Sequence, residues 1–388
     1  MKREPIRLAE PNLSGNEARY LQECITTTYV SSVGPFVDRF ETQIAGTTGA
    51  AGAVATSAGT TALHMALIAL GVRPGDLVIL PDFTFIASAN VIAHCGAEPW
   101  LLDIAATTWT LDAGLLRRAL ETETRRQDAA TIHLGTGRRV AAILPVYTLG
   151  VPADMDAIVD VAREFGLPVV ADAAAALGAT YKGRPVGQLG ANLSGISFNG
   201  NKTITSGGGG AVIGHDLELL RLVRHITTTA RTGEDYTHDR IGYNHRLTNL
   251  QAAVGCAQME RWEDLVAAKR RIRRRYDDEL GGLPGVHFFP SPSYCTSACW
   301  LSGIRLAPPA PPVTAVRDHL REFGIEARPF WKPMHLQAPF RMVPRSDMAV
   351  SQAIASSILT LPCSTSLSEP DQGRVIDAVR QIILGKVT

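Results

Sequence analysis

From about residue 53 to residue 215 the chain alternates short apolar runs, rich in β-branched residues, with longer stretches of helical pattern. Ala53–Thr56 leads into Thr60–Leu70, where Ala62, Leu63, Met65, Ala66, Leu67, Ile68 and Leu70 leave almost no polar face. A helix apolar all round has to be buried. Gly71 and the Arg73-Pro74-Gly75-Asp76 turn end it. The pattern predicts further strands over Leu77–Leu80, Pro99–Ile104, Val140–Tyr147 and Pro168–Ala171. Helices are predicted over Phe85–His94, Asp112–Arg125 and Met155–Phe165. Strands that are apolar throughout, rather than alternately, belong to a mainly parallel sheet covered by helices on both faces. Ligands of such sheets sit beyond the carboxyl ends of the strands.

Past residue 215 the texture changes. Asp216–Thr228 and Asn249–Tyr276 read as helices, and the proline-rich Ala307–Pro312 connects a strand to a helix within a smaller α+β unit. The expected division is a large α/β domain over residues 1–250 and a small one over 251–388. The basic run Lys269–Arg275 is followed at once by Asp277, Asp278 and Glu279, which reads as a solvated helix face. Lys and Arg number 38 against 37 Asp and Glu, so no global field exists to gather a phosphate backbone, and nucleic-acid binding is disfavoured. Six scattered cysteines read as reduced thiols in a cytoplasmic setting, and no second Cys/His pair accompanies Cys295, Cys299 and His287 to make a metal site. The charged start has no apolar core of a signal peptide, and no stretch is long enough for a membrane span.

Three features carry chemistry. Asp172 ends the apolar Pro168–Ala171 run, where a carboxylate is costly unless a cation or hydrogen bonds meet it. Lys202 stands thirty positions downstream in Ser197-Phe198-Asn199-Gly200-Asn201-Lys202, just before the glycines 207–210. Ser57-Ala58-Gly59-Thr60-Thr61 joins a strand to the buried helix, so its free N–H groups and the helix dipole would face a dianion. Singly, each has a plainer role as a cap, a solvated lysine, a flexible loop or an ordinary turn. Together they match pyridoxal phosphate: an amine for the aldehyde, a carboxylate for the pyridine nitrogen and a cup for the phosphate. The rival nucleotide motifs fail, because Asn201 separates Gly200 from Lys202 in the P-loop spacing and no G-x-G-x-x-G follows a strand.

These residues, with Gly34-Pro35, Phe40-Glu41, Pro81–Phe85, Asp154-Met155-Asp156 and Gly242–Leu247, resemble the DegT/DnrJ-type nucleotide-sugar aminotransferases end to end. The wording is closest to the branch that makes 4-amino sugars for legionaminic acid and bacillosamine. It shows in Glu10–Glu17, the Thr136-Gly137-Arg138-Arg139 turn, Ser197–Lys202 and Arg328-Pro329-Phe330-Trp331-Lys332-Pro333-Met334-His335.

The resemblance implies an aspartate-aminotransferase-like α/β fold (fold type I) and a homodimer with shared active sites. It makes Lys202 the Schiff-base lysine and proton shuttle, and Asp172 the partner of the ring nitrogen. Phe85 would stack on the ring, Gly59, Thr60, Thr61 and Ser197 would hold the phosphate, and Asn244 would reach the neighbouring subunit's cofactor. Arg328 and His335 would line the nucleotide-sugar side. No metal is implied. The expected reaction moves an amino group from L-glutamate to C4 of a nucleotide-linked 4-keto-6-deoxy sugar, with a UDP-2-acetamido sugar first and a GDP-linked, perosamine-type sugar as the alternative. Two departures from the family pattern stand out: Ala175, where relatives carry a hydrogen-bonding side chain, and Tyr147 in place of a His. Ala175 alone points to the other alternative, a sugar-nucleotide-binding relative without catalysis.

Overall fold

Each predicted apolar run becomes a strand in the computed structural model, which describes residues 4–385. The start at Met1 and the expected end of the second unit at Thr388 lie outside the described residues. Helices α1 (Glu17–Thr26) and α2 (Pro35–Thr48) come first, then β1 (Gly52–Thr56), α3 (Gly59–Ala69), β2 (Leu77–Pro81) and α4 (Ile86–His94). Next are β3 (Glu98–Leu102), α5 (Ala113–Glu123), the hairpin β4 (Thr124–Gln127) and β5 (Ala130–His133), and β6 (Arg139–Ile143). After α6 (Met155–Glu164) and β7 (Val170–Asp172) come the short β8 (Thr180–Tyr181) and β9 (Arg184–Pro185). Then follow β10 (Leu193–Ser197), β11 (Gly210–Gly214), α7 (Leu217–Thr227), α8 (Asn249–Met259) and α9 (Trp262–Leu280). The last part holds β12 (Val286–Phe288), β13 (Cys295–Thr296), β14 (Ser302–Leu306), α10 (Val313–Glu322), β15 (Arg328–Pro329), α11 (Ala349–Ala355), β16 (Ile358–Leu361) and α12 (Glu369–Ile383).

Strands β3, β2 and β6 are parallel neighbours, and bridges Ile143–Val169 and Val146–Asp172 carry the pairing on to β7. β10 runs parallel to β7, β11 runs against β10, and β1 runs against β11. The main sheet is therefore parallel except for β11 and for β5 of the β4–β5 hairpin, which runs against β6. Successive strand residues point to opposite faces, and both faces are dry. Ala53, Ala55, Leu77 and Ile79 join one core, with α1, α2, α6 and α8, while Val54, Val78 and Leu80 join the other, with α3, α4 and α7. That two-sided burial is why the runs are apolar at every position.

A third core lies between α9, α10, α12 and the antiparallel sheet β12-β14-β16-β15. Two carboxylates tie this last part to the main sheet. Asp82, just past β2, accepts from the His335 N–H at 2.8 Å, the His335 Nδ1 at 2.6 Å and the Ser351 hydroxyl at 2.6 Å. Asp103, just past β3, accepts from the Val350 and Ser351 N–H groups at the start of α11.

Three expectations need correction. The helix predicted to run to Arg125 ends at Glu123, because the chain turns at Asp128, in left-handed conformation (φ 52°), into the β4–β5 hairpin. The stretch Asn249–Tyr276 is two helices, broken at Glu260-Arg261, where the Glu260 carboxylate turns aside to bind Arg39, Tyr20 and Asn16. The basic run is a solvated face only in part: Arg271 and Arg274 are exposed, and two of its cations are buried. Lys269 is 2% exposed with its Nζ 2.6 Å from the Cys363 carbonyl, and Arg273 is buried against Asp277 and the Phe289 carbonyl. A long cation is tolerated at these two positions because carbonyls and a carboxylate meet its charge. Residue 250 lies in the first turn of α8, a helix whose later side chains join the first core. The six cysteines are free thiols, and no helix among the described residues is long and apolar enough to cross a membrane.

Candidate active site

At the carboxyl ends of β1, β7 and β10 opens a cavity of about 490 Å³. Its lining includes Ser57, Gly59, Thr60, Phe85, Asp172, Ser197 and Lys202, with Trp300, Arg328 and Trp331 from the last part of the chain. The sheet sets the first relation. β7 and β10 pair in parallel with Asp172 opposite Gly195, so the carboxylate and the segment leading to the lysine emerge side by side.

Asp172 is 7% exposed. Its Oδ2 accepts from the Ser88 hydroxyl at 2.6 Å and its Oδ1 from the Ala174 N–H at 3.0 Å. Ser88 in turn shares a 2.9 Å hydrogen bond with Thr84. Burial pushes the carboxyl's pKa up, while Ser88, the Ala174 N–H and the charge of Lys202 pull it back. A carboxylate so placed gains from every nearby cation. Lys202 has the opposite problem. Burial brings its ammonium down from 10.5 to about 8, against which the Asp172 charge works only in part. Its Nζ lies 3.6 Å from the centroid of the Trp300 ring.

The phosphate cup is built from a tight meeting of backbones. Ala58 is extended ahead of α3, and Thr61 closes the turn, its hydroxyl accepting from the Ala58 N–H at 3.0 Å and donating to the Ala58 carbonyl at 2.8 Å. A Cβ on Gly59 would lie 2.7 Å from the Ser197 Cβ, and one on Gly210 would lie 2.5 Å from the Ala58 carbonyl carbon. The glycines therefore let β11 and Ser197 press on the turn, and the N–H groups at the start of α3 face the cavity. Phe85 presents an apolar face there, 54% exposed.

The cavity gathers Gly59, Thr60, Phe85, Asp172, Ser197, Lys202 and Arg328, and leaves out three other expected residues. Thr61 is spent on the helix cap. His335 is fixed to Asp82 and faces a separate recess with Lys332, Arg341 and Arg345. Asn244 is exposed on the outer surface, next to His245, whose carbonyl accepts from the Ser57 N–H at 2.8 Å. Arg328 reaches the rim paired to Glu326. Ser88 and Trp300 are contributors that the sequence reading missed. Ser88 is a polar residue on the buried face of α4, a visible signal, whereas Trp300 has none, because its contact spans about a hundred positions. Ala175 sits in the wall as a bare methyl, and the Tyr147 hydroxyl is buried with no partner among the described residues.

A mainly parallel sheet, an acid at one strand end, a desolvated lysine beside the next and a backbone cup for a dianion define the class: a fold-type-I, pyridoxal-phosphate-dependent transaminase. The DegT/DnrJ/EryC1/StrS aminotransferase family matches residues 11–380, and the chain belongs to that family of sugar aminotransferases. It is 37% identical to the GDP-perosamine synthase of Caulobacter vibrioides, over 98% of each chain. Among solved structures it is similar to a DegT DnrJ EryC1 StrS aminotransferase from Brucella abortus, at 29% identity and TM-score 0.86 over 94% of each chain. It is also similar to S. venezuelae DesV in complex with a ketimine intermediate, at 30% identity and TM-score 0.83 over 95% of this chain and 94% of that one.

Proposed function

We propose that the protein transfers an amino group from L-glutamate to C4 of a nucleotide-linked 4-keto-6-deoxy sugar, in the cytoplasm, for a surface glycan. The observation that carries this reading is the desolvated Lys202 amine beside the buried Asp172 carboxylate under one cavity. The residues fit pyridoxal phosphate: Gly59, Thr60 and Ser197 would hold its phosphate, Phe85 its ring face, Asp172 its ring nitrogen and Lys202 its aldehyde carbon. When bound, the group supplies an electrophilic carbon for amines and a ring that accepts electrons. The rest belongs to the chain. Asp172 keeps a positive charge on the ring nitrogen, and Ser88 and the Ala174 N–H keep Asp172 aimed. Lys202, with a pKa of about 8, is an amine that can take a proton from a carbon acid and return it near neutral pH. The aromatic wall of Phe85, Phe330, Trp331 and Trp300 excludes water and suits an apolar 6-deoxy sugar face.

For the nucleotide, the similarity to GDP-perosamine synthase along the full chain favours GDP over the UDP-2-acetamido sugar expected first. The test has two arms. Borohydride reduction of the holoenzyme followed by peptide mapping fixes the cofactor to Lys202, and Lys202→Ala abolishes both adduct and turnover; an adduct on another lysine refutes the assignment. Offering GDP- and UDP-linked 4-keto sugars with glutamate, and weighing the products, shows a gain of the amino group on the GDP sugar. A product from the UDP sugar alone reverses the choice of nucleotide.

A further inference from the structure

Lys202 has a side-chain neighbour whose contact with the amine the transaminase chemistry above leaves unused. Trp300 is 5% exposed, and its ring centroid is 3.6 Å from the Lys202 Nζ. Its Nε1–H donates at 2.9 Å to the carbonyl of Asn201, the residue just before the lysine. One side chain therefore touches both ends of the reactive residue, the amine with its π face and the backbone with its polar edge. An aromatic face that close attracts an ammonium and offers a neutral amine much less.

The backbone that delivers Trp300 is bent to do so. Cys299 has φ 53° and Leu149 has φ 59°, both left-handed conformations that side chains other than glycine adopt at a cost. The Trp300 N–H donates to the Leu149 carbonyl at 3.3 Å, so the two strained residues meet at this tryptophan. Strain of this kind persists where the surroundings fix a side chain in place. The opposite charge facing the Lys202 ammonium is Asp172.

We propose that Trp300 is the positioning residue for Lys202: its indole face docks the amine whenever the amine is free of the cofactor, and its N–H holds the lysine's loop in register. A released lysine on a flexible stem loses its aim, and a docked one stays at the cavity wall, ready to return. The inference rests on Lys202 being the reactive amine.

The test reads the amine directly. Full-length protein is stripped of pyridoxal phosphate by dialysis against an amine trap. The rate at which added pyridoxal phosphate is taken up is then followed by its visible absorbance from pH 6 to 10. The neutral amine is the nucleophile, so uptake rises through the Lys202 titration. Trp300→Leu moves the midpoint of that rise down by roughly half to one pH unit, because the ring no longer stabilises the ammonium, and it slows uptake at the plateau several-fold. Trp300→Phe keeps a ring face and stays within about 0.3 pH unit of the wild type. Trp300→Met carries the same expectation as leucine, should leucine fail to fold. A leucine or methionine variant with the wild-type profile overturns the proposal. A phenylalanine variant displaced as far as leucine also overturns it, since the N–H bond rather than the face would then be at work. Lys202→Ala, which can hold the cofactor but forms no imine and gives no imine absorbance at any pH, is the separate control. An imine absorbance reducible by borohydride in that variant sinks the assignment of Lys202 itself.

Discussion

The burial that lowers the pKa of the Lys202 ammonium also makes it a burden on the cofactor-free fold. Its folded pKa of about 8 lies below the 10.5 of a free lysine, so between these values the unfolded chain binds the extra proton. Stability therefore rises with pH through that window, and the penalty is complete below about pH 8. Lys202→Met should raise the Tm of the cofactor-free protein by on the order of 2 °C at pH 7. The gain should fade as pH climbs from about 8 to 10.5. A variant equally stabilised at pH 7 and pH 10 would contradict this account of the amine. That Asp172 and Lys202 line one cavity was legible at this scale because an acid at the end of an apolar strand is anomalous on its face, as is a lysine ahead of four glycines. Trp300, by contrast, meets Lys202 only once the last part of the chain is laid over the first, and no local pattern announces that.

Among the elements, the turn before α3 owes its place to a clamp some distance away. Glu41 on α2 accepts from the Ala55 N–H of β1 at 2.8 Å and from Arg246 at 2.9 Å, and it also binds Arg224 of α7. Arg246 is 8% exposed in its side chain, so its charge depends on that carboxylate. Glu41→Gln should cost about 3 kcal/mol, a fall in Tm of on the order of 5 °C by calorimetry. The double change with Arg246→Gln should recover part of the loss, because no lone charge is then left inside. Strict additivity of the two single losses would show that the pair is not coupled. The apolar strands and the buried α3 were readable from the position of the apolar runs, since both sheet faces are dry. The β4–β5 hairpin was not: Thr124–Gln127 is polar and its partner strand short, so neither periodicity nor hydrophobicity marks it. The split between α8 and α9 was hidden for another reason, as Glu260 leaves the helix to satisfy groups on α1 and α2.

For the molecule as a whole, we propose the homodimer implied by the resemblance, with Asn244 serving the neighbour's cavity. Asn244 lies outside its own cavity, and Tyr236 at 76% and Ile241 at 85% exposure leave apolar surface on the same segment. If the sites are shared, mixing Lys202→Ala and Asn244→Ala subunits creates one complete site in each mixed dimer. Activity after subunit exchange should then recover to roughly a quarter of the wild type under random pairing, well above either parent. No recovery, with exchange verified by mass, would mean that each subunit works alone. Asn244 stays outside the cavity of its own chain because its segment packs beside Ser57 while the residue itself is exposed.

The pairing of β7 with β10 has a wider consequence. Because β7 and β10 are adjacent parallel strands, Asp172 and the segment that leads on to Lys202 leave the sheet one strand spacing apart, about 4.8 Å. Trp300, Arg328 and Trp331 come instead from a separately cored part of the chain. Drift in those walls can retune which sugar is admitted while the reactive spacing stays as it was. An inherited change of diet, on this architecture, leaves the chemistry intact.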